Sequence, residues 1–182
     1  VVGVVEKSAM LDPSTIREGD VLLGIPSNGL HTNGYSLVRH ALGLDDDPAS
    51  LWEYDSRLGQ TVGEALLVPH RSYYRDVSPS FHLLKAIAHV TGGGLVENVP
   101  RVLPQGLGAR FDTGKWCVPP IFAFIQEAGK VDRDEMYRVF NMGLGMVLVC
   151  EESRVDEAMD LIPEARVVGR VIKTKDELRV IL

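Results

Sequence analysis

The sequence predicts an α/β (α+β) fold, a mixed β-sheet with helices packed on its faces in three layers. Three observations predict it. Short aliphatic runs alternate irregularly with segments whose apolar residues recur at helical spacing, no repeat has the period of a solenoid or propeller, and 182 residues, 45% of them hydrophobic, can bury one substantial core. The expectation is one domain over residues 1–182.

Residues 1–6 and 20–25 are β-branched or aliphatic runs and read as strands, joined by a polar turn around Asp12-Pro13-Ser14. The opening lacks an initiator methionine, so the chain is expected to be cut from a longer protein. Pro26-Ser27-Asn28-Gly29 then forces a loop. From Asn33 onward, Tyr35, Leu37, Val38, Ala41 and Leu42 recur at helical spacing until a glycine stop at Gly43. Asp45-Asp46-Asp47-Pro48 reads as a solvated acidic turn in preference to a metal site.

Residues 81–90 read as a short helix with Leu83, Leu84, Ile87 and Ala88 inward, running into Thr91-Gly92-Gly93-Gly94, with a second helix restarting at Leu95. Pro119-Pro120 opens a helix over residues 121–128 that Gly129 closes. Asp132-Arg133-Asp134-Glu135 has capping-box spacing for a helix carrying Met136, Val139 and Phe140. Residues 146–150 form a buried-strand run, 155–162 a helix, and 165–172 and 178–182 two last strands.

The formal net charge of -6 argues against a broad nucleic-acid-binding face and leaves room only for a local anion pocket. Cys117 and Cys150 stand far apart, without a CxxC partner or histidines at ligand spacing, so no structural zinc site and no metal ligand is assigned. Their apolar neighbours suggest buried free thiols in a reducing compartment, the cytoplasm. No stretch approaches the roughly 18 apolar residues needed to cross a bilayer, and no basic region followed by an apolar run marks secretion.

Three glycine-rich loops carry the chemistry: residues 27–34, 91–94 and 141–145. Each joins regular elements, where backbone amides become available to an anion. The Gly92-Gly93-Gly94 triplet lets a phosphate approach the N–H groups without Cβ atoms, and serves equally well as a packing turn. In Ser27-Asn28-Gly29-Leu30-His31-Thr32-Asn33-Gly34, His31 can hold a phosphate or move a proton. Asn33 has an alternative role as a helix cap, which local sequence favours. His40, His82 and His89 read as surface or packing residues. The dinucleotide fingerprint, the P-loop and the nucleophile elbow all lack their context here.

Several segments resemble one family, in order. Gly19-Asp20-Val21-Leu22-Leu23-Gly24, the stretch from Ser27 through Asn33-Gly34-Tyr35-Ser36-Leu37-Val38-Arg39, His89-Val90-Thr91-Gly92-Gly93-Gly94-Leu95-Val96-Glu97-Asn98-Val99-Pro100-Arg101-Val102-Leu103-Pro104, and Phe140-Asn141-Met142-Gly143-Leu144-Gly145-Met146 are similar to phosphoribosylformylglycinamidine cyclo-ligases (aminoimidazole ribonucleotide synthetases). The resemblance implies the carboxy-terminal domain of a two-domain ATP-dependent ligase of purine biosynthesis. Its absent amino-terminal domain would supply most ligands for ATP and Mg2+ and much of a homodimer interface, so this chain alone should be inactive.

The reaction implied is ring closure. The formyl oxygen of formylglycinamidine ribonucleotide is phosphorylated, an internal nitrogen attacks that carbon, and phosphate leaves. His31 and Asn33 are the expected catalytic residues. Ser27, Asn28, Gly29, Arg71, Thr91, Gly92, Gly93, Gly94, Asn98, Arg101 and Asn141 are expected around the substrate or its phosphates. One departure stands out: the family usually reads Pro-Thr-Arg-Ile-Tyr where this chain has Pro69-His70-Arg71-Ser72-Tyr73. Superfamily relatives such as formylglycinamidine synthetase, selenophosphate synthetase and thiamine-phosphate kinase share the glycine-loop layout. A non-catalytic phosphate-binding domain, or a plain α/β domain whose glycines serve turns only, are the readings from other classes.

Overall fold

A computed structural model describes residues 3–175 and 179–182. Its centre is a mixed six-stranded sheet in the order β4-β6-β1-β7-β5-β8, formed by β1 (Val21–Pro26), β4 (Leu84–His89), β5 (Leu107–Phe111), β6 (Leu144–Cys150), β7 (Arg166–Lys173) and β8 (Val180–Ile181). All pairings are antiparallel except β5 with β8. β2 (Tyr54–Asp55) and β3 (Gln60–Thr61) make a separate two-stranded ribbon.

Side chains of successive strand residues point to opposite faces, and both faces here are covered. Leu22 of β1 and Val147 and Val149 of β6 face one apolar cluster, whereas Val21, Leu23 and Ile25 of β1 and Leu148 of β6 face the other. The first cluster is closed by α1 (Tyr35–Ala41), α2 (Val62–Leu66), α4 (Gly94–Asn98), α5 (Pro120–Gly129) and α6 (Arg133–Val139). The second is closed by α3 (Tyr74–Val77) and α7 (Val155–Leu161). Val21, Leu22, Leu23 and Ile25 are at most 2% exposed, as expected of a central strand buried on both sides. Gly24 completes that strand because a Cβ there would lie 2.8 Å from side-chain atoms of both Leu144 and Val168.

The expected mixed sheet with helices on both faces is the one observed, and several element boundaries are corrected. Val1 and Val2 lie outside the described residues, and residues 3–6 are exposed and form no strand. β-branched residues favour a strand only where a partner edge exists, and this segment meets none. Residues 81–90 are not a helix: a 3-10 turn (Ser78–Leu83) leads into β4. Leu84, Ala86 and Ala88 are buried at alternate positions, so the period is two, and pairing with β6 overrides the helical spacing that the same residues also satisfy.

β5 went unread because Gly106-Leu107-Gly108 looks like loop, and Leu178 lies outside the described residues, leaving β8 as two residues. Asp132 precedes α6 without a side-chain cap. The reciprocal capping box belongs to Thr61 and Glu64 at α2. The acidic turn caps locally, Asp47 accepting from the Ala49 N–H and Asp45 pairing with Arg39.

Topology places the three glycine-rich loops together. β1 and β4 both run antiparallel to β6, which lies between them. The exits of β1 at Pro26 and β4 at His89 therefore flank the start of β6 at Leu144, with Pro26 opposite Leu144 and His89 opposite Met146.

Candidate functional site

At this end of the sheet the loops are tied to one another by buried side chains. Asn141 is 1% exposed. Its Oδ1 accepts from Ser27 Oγ at 2.7 Å and from the Gly143 N–H at 2.9 Å, while its Nδ2 donates to the Gly29 carbonyl at 2.9 Å. A planar amide is suited to this bridging, offering an acceptor and two donors on one rigid group. The Ser27 N–H donates to the Gly143 carbonyl, and the Val90 N–H to the Gly145 carbonyl. Gly34 has φ 79°, and a Cβ there would lie 2.1 Å from the Phe140 ring, so only glycine permits this approach.

Asn98 plays the same part in the glycine triplet. It is 4% exposed, and its Nδ2 lies within hydrogen-bond reach of the carbonyls of Thr91, Gly92 and Gly94, at 3.3, 3.2 and 2.8 Å. Its Oδ1 accepts from Thr91 Oγ1 and from Arg101 Nη1. Ser27, Thr91, Asn98 and Asn141, expected around substrate, thus use their polar atoms to shape the loops. Gly94 has φ 56°, and a Cβ there would meet the Tyr137 carbonyl at 2.0 Å. At Gly93 the Glu97 side chain occupies the space a Cβ would need, its carboxylate lying 2.6 Å from that position.

The preferred capping role for Asn33 does not hold: α1 begins after Gly34, with no side-chain cap. Asn33 Nδ2 is instead buried without a hydrogen-bond partner among the described residues, and its Oδ1 lies 3.7 Å from where a Cβ on Gly92 would sit, across to the glycine triplet.

His31 is 3% exposed and sits at φ 58°, in the left-handed region that costs a residue with a Cβ about 1 kcal/mol. Its Nε2 lies 3.0 Å from Asn28 Oδ1 and 3.4 Å from Tyr73 Oη. Tyr73 spends its own hydrogen on the Pro26 carbonyl, and Asn28 donates through Nδ2 to the Pro69 carbonyl, so both facing oxygens can only accept. This network assigns the proton to Nε2 and leaves a lone pair on Nδ1, which is buried and has no partner among the described residues.

Burial, then the nearby charges of His70, His89 and Arg71, lower the His31 pKa to about 4, so the ring is neutral at pH 7. The same burial pushes Tyr73 up to about 12, keeping it a phenol. Arg71 was expected at phosphate. Its guanidinium lies over the Tyr73 ring and is engaged by Asp76 at 2.8 Å and Glu164 at 2.5 Å, and Arg101 reaches Glu97 at 3.8 Å as well as Asn98.

Two histidines that sequence reasoning left aside complete the picture. His70 stacks on His31, with ring centroids 3.9 Å apart and planes within 10°, and His89 at the end of β4 lies 5.3 Å from His70. Reading residues 81–90 at period two would have placed His89 beside the loops. An open cleft of about 310 Å3 between His70, Tyr73, Phe81 and His89 adjoins this cluster. A larger groove of about 500 Å3 lies elsewhere, between Val96, Arg133, Arg138 and β8, and is lined by none of the residues expected at the substrate or its phosphates. Cys150 is buried as expected, whereas Cys117 is exposed, because its loop ahead of α5 runs over the surface.

A family model described as AIR synthase related protein, C-terminal domain, matches residues 17–181. The chain belongs to this family. Among curated relatives of this AIR synthase related domain, it is 45% identical over its whole length to a phosphoribosylformylglycinamidine cyclo-ligase of Bifidobacterium longum (strain DJO10A), covering 54% of that protein. It is 49% identical over 97% of its length to the protein of the same name from Bifidobacterium animalis subsp. lactis (strain AD011), covering 53% of it.

The chain therefore spans about half the length of the curated relatives it matches. Among solved structures, thiamine-monophosphate kinase from Stenotrophomonas maltophilia shares the fold, with a TM-score of 0.60 at 15% identity over 97% of this chain and 54% of that one. Among the described residues, no helix is long and apolar enough to cross a membrane.

Proposed function

We propose that this AIR synthase related domain is the single C-terminal domain, over residues 1–182, of a cytoplasmic, ATP-dependent cyclo-ligase. The full enzyme converts formylglycinamidine ribonucleotide to aminoimidazole ribonucleotide in purine biosynthesis, with ADP and phosphate released. The observation that carries this reading is the identity of 45–49% to named cyclo-ligases across essentially the whole chain. The geometry supports it: the three glycine-rich loops meet at one end of the sheet, where His31 Nδ1 and Asn33 Nδ2 are buried without a partner among the described residues.

Ring closure needs positioning and charge stabilisation and no covalent nucleophile. In this reading His31 and Asn33 face the reacting group. Both carry a buried polar atom that the described residues leave unpaired, an acceptor at His31 Nδ1 and a donor at Asn33 Nδ2. Buried groups of this kind are normally satisfied, and a substrate offering an N–H and an oxygen would satisfy both. Asn98 and Asn141 act as positioning residues, holding the glycine triplet and the loop of residues 27–34. ATP supplies the phosphoryl group when bound.

The donors assembled here are imidazole nitrogens and amides, which do not suit Mg2+, so Mg2+ and most of the ATP site are assigned to the amino-terminal half, together with much of a homodimer interface. ADP formation dependent on formylglycinamidine ribonucleotide, measured for this chain alone and mixed with a separately made amino-terminal half, tests the proposal. Activity only in the mixture is expected. A stable two-domain complex without activity would remove the cyclo-ligase reading.

A further inference from the structure

We propose that His31, His70 and His89 form a binding site for one divalent ion of borderline softness, of the Zn2+, Co2+ or Ni2+ class. One ring nitrogen from each of the three lies within 4.8 Å of those of the other two, although the residues come from three separate segments of the chain. The sequence reading assigned no metal ligand because it looked for local spacing, and the fold supplies the proximity instead.

The chemistry of the cluster agrees with its geometry. A ligating imidazole is neutral, presents the lone pair of one nitrogen, and has its other N–H fixed by an oxygen acceptor. His31 has this form: Asn28 Oδ1 holds Nε2 at 3.0 Å, and the Nδ1 lone pair is buried without a partner. His70 and His89 are exposed, so an ion can enter from solvent. Arg71, next to His70 in the chain, has its charge balanced by Asp76 and Glu164.

Ligand atoms around tetrahedral zinc, at bond lengths of about 2.0–2.1 Å, lie about 3.3 Å from one another. The cluster is therefore poised rather than closed. Imidazole lone pairs lie in the ring plane, so two rings stacked in parallel 3.9 Å apart cannot both aim at one ion; binding turns His70 out of the stack and draws His89 inward, both motions of exposed side chains. Imidazole nitrogens favour the borderline ions over Mg2+ and Ca2+, and three of them leave a coordination position open to water or an anion. The ion and the substrate of the cyclo-ligase reading would compete for His31 Nδ1, but the inference is tested on the ion alone by equilibrium binding, requires no turnover, and its failure leaves that reading untouched.

The test is calorimetric titration of the tag-free, chelator-stripped chain with Zn2+ and with Co2+. One ion per chain is expected. The variants His70→Thr and His89→Ala, both at exposed positions, should each weaken binding at least about tenfold, and the double variant should abolish it. Circular dichroism and thermal unfolding of the same samples verify that the variants are folded. Millimolar Mg2+ should leave the isotherm unchanged. An isotherm identical in wild type and both variants overturns the proposal, as does loss of binding on Cys117→Ser or displacement of the ion by Mg2+.

Discussion

Ser27 and Asn141, far apart in sequence, share a buried 2.7 Å hydrogen bond that joins the exit of β1 to the entry of β6. Asn141→Ala would strand the Ser27 hydroxyl, the Gly143 N–H and the Gly29 carbonyl together. Each buried group left unpaired costs about 1–3 kcal/mol, so a loss of about 3 kcal/mol is expected in urea denaturation. A change below about 1 kcal/mol would mean that water replaces the amide.

His31→Ala in the full two-domain enzyme is expected to lower turnover by more than about tenfold, by removing the unpaired acceptor. Near-normal kcat and KM would take His31 out of the mechanism.

His31 also imposes a pH dependence on stability. Its pKa falls from 6.5 to about 4 on folding, so between these values the unfolded chain binds more protons than the folded one. Stability is unaffected by this group above pH 6.5, declines as pH falls toward about 4, and levels off below it. Denaturation midpoints recorded with chelator present should decline over this window more steeply in wild type than in His31→Gln. Parallel curves for the two proteins would contradict the assignment.

At the opposite end of the sheet from the site loops, Lys85 Nζ bonds both carboxylate oxygens of Asp20, at 2.8 and 2.9 Å, and Asp20 is 5% exposed. Lys85→Met leaves a buried carboxylate without its cation, and a destabilisation of about 3 kcal/mol is expected by chemical denaturation. The double variant Lys85→Met with Asp20→Asn should recover part of it.

The two thiols should separate by reactivity. Cys117 is exposed, whereas Cys150 is fully buried and its thiol is pushed up to about 11, by burial first and by Asp20 second. A disulfide reagent added to the native chain should modify Cys117 and spare Cys150 until the protein unfolds. Rapid double labelling would show that β6 opens far more readily than its packing implies.

Helices with a strong local period were legible in advance. α5 opens at Pro120 and ends at Gly129 as Pro119-Pro120 and the glycine predict, and α1, α6 and α7 lie within a residue or two of their expected positions. β4 was not legible, because Leu83, Leu84, Ile87 and Ala88 satisfy helical spacing while alternate residues satisfy a strand, and only pairing with β6 decides between them. The roles of Asn98 and Asn141 were equally hidden. An asparagine in a glycine-rich loop has the same local sequence whether its amide meets a ligand or its own backbone.

By itself the sequence determined the family, the mixed α/β class and the three glycine-rich loops, because these reside in local composition and in contiguous motifs. Tertiary structure alone decided which side chains meet. Antiparallel pairing of β1 and β4 about β6 brings residues 27–34, 91–94 and 141–145 to one end of the sheet, and sets His70 and His89 against His31. Strand register is set by long-range burial of the whole sheet, and no single segment contains that information.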